Sequence, residues 1–255
     1  MDIIVNDFLS PTLIILLVIV AGFSSFVTAG FGAGGGVFLL LVMAAVMPIS
    51  AVIPIHGLVQ LGSNANRAIL TFRHLDKNML LYFGMGAILG ALSASLVVTQ
   101  LPLAIMKLLL GVFVIYLLWA KLPTINERSR FSKIIVGVVT TFLSMFVGAS
   151  GPLVGSYMYI NNYDKLAFTA TFSASMTFQH CLKALVFGAI GFAFWDWLPL
   201  IIAMVLSGTV GTWFGIKLLK KLPAEKFKGV FKLILTLMSI HLVWQAGVAI
   251  YEGKL

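Results

Sequence analysis

The chain has 255 residues, of which 60% are hydrophobic and 10% charged, and its formal net charge is +9. With a mean hydropathy of +1.08, no water-soluble domain of this size could hide its apolar surface, so composition excludes the soluble classes and predicts an all-α polytopic membrane protein. The basic residues fall mainly in short loops between apolar runs, which reads as a membrane-orientation signal and not as a nucleic-acid surface.

The amino-terminal MDIIVND carries Asp2 and Asp7 but no Lys or Arg. It therefore lacks the basic region of a cleaved signal peptide, and the first helix, over residues 11–30, is expected to be retained. Next comes FGAGGGV, Phe31–Val37. Each glycine in a helix interior costs about 1 kcal/mol relative to alanine, so the cluster predicts a break. The segment that follows, residues 36–47, covers only about half a bilayer at about 1.5 Å per residue. A third helix is predicted over 50–72, a fourth over 78–98 and a fifth over 102–121. The same order recurs at 133–147, 152–161, 165–191, 197–217 and 226–250. The one cysteine, Cys181, lies in an apolar run, which rules out an intrachain disulfide and any cysteine-rich metal site.

Self-comparison at an offset of 116 residues aligns GAGGG (Gly32–Gly36) with GASGP (Gly148–Pro152), Ser63 with Gln179, Asn64 with His180 and Arg67 with Lys183. At an offset of 121, Gly90 meets Gly211, Leu101-Pro102 meets Leu222-Pro223 and Lys107 meets Lys228. One duplication accounts for these matches. The predicted organisation is a first transmembrane repeat over 1–123, a linker over 124–132 and a second repeat over 133–255, each with about four full helices and one broken or re-entrant half-helix. Positive residues cluster at Arg73, His74 and Lys77, at Lys121, Arg128, Arg130 and Lys133, and at Lys217, Lys220, Lys221, Lys226 and Lys228. Five passes per copy place every cluster on one side, the cytoplasm, with both termini external; the two copies are then inverted relative to each other.

Paired helix breaks in an inverted repeat point to a site near the membrane midplane. A helix amino terminus presents N–H groups without intrahelical acceptors and about half a positive charge, so Gly34, Gly35 and Gly36 in one copy, and Ser150 and Gly151 in the other, form candidate oxyanion cradles. Pro152 suits the first turn of the second half-helix. Close helix packing is the alternative use of such glycines. On the third helices, His56, Gln60, Ser63 or Asn64, Arg67 and Thr71 recur at spacings of three or four, as do Thr171, Ser175, Gln179 and Lys183 with His180 beside them. These stripes make Gln60, Asn64, Arg67, Gln179, His180 and Lys183 candidate substrate ligands, with snorkelling to an interface the alternative for Arg67 and Lys183. His56 and His180 are candidate proton carriers or plain hydrogen-bond partners. No Asp or Glu lies inside an apolar run, which favours an anion over a metal cation or a cationic substrate. No nucleotide-binding loop or cofactor motif is present. An intramembrane enzyme would have Ser150 and His180 as its best pair, with no carboxylate to orient the histidine.

The chain resembles the sulfite exporter TauE/SafE family of membrane transporters in FGAGGGVFLL after the first helix, NANRAILTFR (Asn64–Arg73), GASGPLVGSYM (Gly148–Met158) and SGTVGTWFGIKLLKKLPAEKFKGVFKLIL (Ser207–Leu235). It departs from the pattern in lacking the proline often found shortly after the first glycines. The resemblance implies a secondary transporter of a small anion, of the sulfite, sulfonate or carboxylate class, in the bacterial cytoplasmic membrane, with an anion channel as the alternative. Its expected partners are that anion and the lipid bilayer, with an ion gradient, protons being the candidate coupling ion, or the substrate gradient alone as the source of energy.

Overall fold

A computed structural model describes residues 9–31, 34–98, 100–121, 128–218 and 224–253. Gly32, Thr99, linker residues 124–127, Lys220, Lys221 and the Leu222-Pro223 match lie outside the described residues. Among those described the fold is all helical: α1 (Pro11–Phe31), α2 (Gly35–Val46), α3 (Ile49–Thr71), α4 (Lys77–Ser95), α5 (Leu103–Trp119), α6 (Arg130–Val147), α7 (Gly151–Ile160), α8 (Lys165–Ala189), α9 (Leu198–Leu218) and α10 (Ala224–Tyr251), with short 3-10 turns before α4 and α9.

Local chemistry sets the boundaries. Gly34 adopts φ +97°, a region closed to most side chains, and starts α2. Met47 is extended because Pro48 follows it, which ends α2 after 12 residues, about 18 Å. Gly148, left-handed at φ +73°, closes α6 by donating its N–H to Ser144. α7 then starts with Pro152 in its first turn and runs only 10 residues, about 15 Å. Ser129 caps α6, Asp76 caps α4 and Asp164 caps α8, each accepting from a backbone N–H of the first turn.

Among the described residues, five helical segments are long and apolar enough to cross a bilayer: Pro11–Ala29, Lys77–Ser95, Arg130–Val147, Phe194–Gly215 and Phe231–Tyr251. The 23-residue α3 and 25-residue α8 have the length, but their polar stripes lower their hydropathy. Leu89, Leu92, Leu206 and Leu237 are exposed on this bundle, the surface expected of a protein whose solvent is lipid.

Helices pack mainly across the two halves: α1 with α9, α4 with α6, α3 with α8, and α5 with α10. Exchanging the halves maps this set of pairs onto itself. Close backbone approach underlies two of them, since a Cβ on Gly211 would overlap the Gly22 carbonyl and one on Gly86 would overlap that of Ile134. Leu17, Leu40, Ile53 and Leu110 are fully buried in the main apolar core. At one end of the bundle, Arg128 donates to the Asn161 carbonyl and its guanidinium lies 4.9 Å from the Tyr163 ring centroid. Tyr163 donates to Asp76 Oδ2 at 2.7 Å. The start of α6, the end of α7 and the α3–α4 loop therefore meet at the same end of the bundle. Arg73, His74, Lys77 and Arg130 lie on these connecting segments.

Candidate functional site

The two helix breaks face one partly open cavity of about 60 Å³. α2 contributes Gly34, Gly36 and Val37; the turn into α7 contributes Gly148 to Pro152. α3 supplies His56, Gln60, Asn64 and Arg67, and α8 supplies Phe172, Met176 and His180. Thr28 of α1 completes the wall.

Eight of the eleven residues singled out from the sequence thus meet on one wall: Gly34, Gly36, Gln60, Asn64, Arg67, Ser150, Gly151 and His180. Three stand behind it. Gly35 packs on α1, where a Cβ would overlap the Ser24 carbonyl, and its own carbonyl accepts from Ser24 Oγ at 2.7 Å. Gln179 accepts from Thr140 and Thr141 and donates to Ser150 Oγ at 2.6 Å, holding the lead-in to α7 in place. Lys183 is fully buried; its Nζ donates to the Gly148 carbonyl at 3.3 Å, and its stem fills the space left by Gly57. Ser150 therefore engages Gln179, and no Ser150–His180 hydrogen bond occurs among the described residues.

The α3 wall is a chain of polar contacts. His56 Nε2 lies 2.9 Å from the Gly36 carbonyl, which can only accept, so this nitrogen carries the hydrogen. The Gln60 amide sits 3.3 Å from the same nitrogen. Asn64 Nδ2 donates to the Gln60 carbonyl at 2.8 Å, and Asn64 Oδ1 accepts from Arg67 Nη2 at 2.9 Å. Arg67 is 7% exposed, yet its Nε has no hydrogen-bond partner. No Asp or Glu stands on the wall among the described residues. A buried guanidinium without a carboxylate is costly unless something else supplies negative charge. Near it, the first-turn N–H groups of α2 have no intrahelical acceptor by position; in α7, Pro152 has no N–H and Leu153 donates to the Ser150 carbonyl at 3.0 Å, which leaves the Gly151 N–H, and both helix dipoles present their positive ends.

Phe172, Met176 and Thr28 were not among the residues the sequence singled out. The signal for the first two was present: 172, 176 and 180 recur at a spacing of four on α8, one residue out of phase with the polar stripe. Both are ordinary apolar helix residues, so their periodicity alone reads as core packing.

The family model described as sulfite exporter TauE/SafE matches residues 15–242. Searches among curated proteins and among solved structures gave no match. The family match, with five apolar helices long enough to span, indicates an integral membrane transporter of sulfur-related anions.

Proposed function

The chain belongs to the sulfite exporter TauE/SafE family, and we propose that it is a secondary carrier which holds a small sulfur-containing or carboxylated anion between the first turns of α2 and α7. The observation that carries this reading is Arg67: a buried cavity-wall guanidinium with an unpartnered Nε and no carboxylate beside it. A bound oxyanion supplies the missing countercharge and accepts from Arg67, from the first-turn N–H groups of α2 and from the Gly151 N–H of α7. Gly151 lets backbone approach the anion closely and Gly36 leaves room for the Gln60 amide, while Gln60, Asn64, Ser150 and His180 set the polar outline of the site. Gln179, Lys183 and Gly35 act as supports that position this wall.

The exchange-invariant helix pairing and the two short helices at matched places support an inverted-repeat carrier with its site near the midplane. The end that gathers Arg73, His74, Lys77, Arg128 and Arg130 is assigned to the cytoplasm of a bacterial inner membrane, with both termini outside. The test is reconstitution into liposomes with labelled sulfite, small sulfonates and small carboxylates. Saturable uptake, accelerated by unlabelled anion on the far side, is expected for at least one class. Linear flux without counterflow would indicate a channel, and no flux or binding of any of these anions would overturn the reading.

A further inference from the structure

We propose that the His56–His180 pair takes up one proton in step with the anion, so that each cycle moves one anion and one proton; this rests on the anion cavity proposed above. The rings come from opposite halves of the chain and meet edge to face on the cavity wall, with centroids 6.3 Å apart. They are 2% and 5% exposed. Because His56 Nε2 is committed to the Gly36 carbonyl, Nδ1 keeps its lone pair, and that atom is buried without a partner. His180 Nδ1 is likewise buried and unpartnered. Buried polar atoms are nearly always satisfied, so two orphaned ring nitrogens beside one cavity require a ligand. Arg67 and the half-helix N–H groups only donate. Of the side chains on the wall, the imidazoles are the ones whose unpartnered ring nitrogens offer a lone pair to a proton.

The charges around the rings link that proton to the anion. Lys183 on α8 acts electrostatically on both imidazoles, and Arg67 shares their wall. α2 carries no titratable side chain. On the other elements packed against α3 and α8, Arg73 and His74 lie on the turn after α3, Lys77 starts α4 and Tyr159 is exposed near the end of α7, while several further groups are engaged elsewhere. Lys133 acts on Asp76, Arg130 lies over the Tyr82 ring and Tyr157 meets Ser132. Lys107 donates to Gln245, and Lys217 lies over Trp213. A proton on either ring thus meets the Lys183 and Arg67 cations, and an anion in the cavity offsets them. The proton leaves water on one side, adds to an imidazole lone pair, and returns to water on the other; no bond within the anion changes.

The test uses the full chain in proteoliposomes with methanesulfonate, an anion that stays ionised and brings no proton of its own, and with the voltage clamped at zero by potassium and valinomycin. A tenfold inward proton gradient should drive about tenfold accumulation of the anion, with acidification of the lumen as it enters. In His56→Gln/His180→Gln the ratio of protons to anions moved should fall to below about a tenth of wild type. If that variant fails to fold, the wild-type response to the proton gradient decides. If only sulfite is carried, which brings a proton of its own as bisulfite, the fall in the proton-to-anion ratio from wild type to His56→Gln/His180→Gln is read in place of accumulation. Anion transport indifferent to the proton gradient overturns this inference and leaves the anion cavity standing. Absence of binding and transport of both anions overturns both.

Discussion

Arg67→Gln should have opposite effects on the empty protein and on the anion complex. In the empty protein, the substitution removes a buried charge that has no carboxylate partner. It sacrifices one hydrogen bond to Asn64, worth about 0.5–1.5 kcal/mol. The desolvation cost relieved is several kcal/mol for a buried ion, so the apo variant should be at least as stable as wild type. In the complex, a charge-assisted contact worth about 1.5–3 kcal/mol disappears, which weakens binding by about 10- to 150-fold. At an anion concentration of about 100 times the wild-type Kd, ligand stabilises wild type by about 2.7 kcal/mol. The variant should retain only about 0.3–1.4 kcal/mol. Thermal unfolding of the detergent-solubilised protein, followed by tryptophan fluorescence with sulfite or a sulfonate added, reads both effects. A variant that is less stable when empty, yet keeps the full anion-dependent shift, would show that Arg67 is a structural or snorkelling side chain.

The wall and packing glycines should separate in the same assay. Gly35→Ala drives a methyl into the Ser24 carbonyl and should cost about 1–3 kcal/mol of stability with low folded yield, whereas Gly151→Ala meets Phe172 only at 3.4 Å and should fold while weakening anion binding. Equal stability of the two variants would refute this division. At the α3–α4 loop, burial raises the Asp76 carboxyl, but the Tyr163 hydroxyl, the Met79 N–H and the Lys133 charge outweigh it and hold the group below its usual range. Its contribution is therefore complete above the unfolded-state value of about 3.9 and is lost as pH falls through the lower folded-state value. Asp76→Ala should cost about 0.5–2 kcal/mol at pH 7, and the gap to wild type should close in acid below about pH 4; a gap that stays constant to pH 3 would show that charge at Asp76 is irrelevant. Finally, in a Cys181→Ser background, cysteine at Gln100 should react with an impermeant maleimide in intact cells and cysteine at His74 only after permeabilisation. The reverse pattern would invert the assigned orientation.

The membrane class, the two helix breaks and the α3 face of the site were legible in the sequence because each follows from local chemistry. Hydropathy counts apolar surface directly, glycine clusters penalise helix wherever they occur, and a spacing of three or four puts His56, Gln60, Asn64 and Arg67 on one side of α3. What periodicity cannot supply is the direction in which a face points. On α8 the evident stripe of Thr171, Ser175, Gln179 and Lys183 turns away from the cavity, and the adjacent row of Phe172, Met176 and His180 lines it. One residue is about 100° of helix rotation, and only the packing of α8 against α3, α4 and α7 fixes that angle. The glycines divided for the same reason: Gly34, Gly35 and Gly36 look alike in sequence, yet Gly35 is pressed against α1 and its neighbours border the cavity. Consecutive residues on a helix point to different partners, and those partners lie far away in the chain or in its other half.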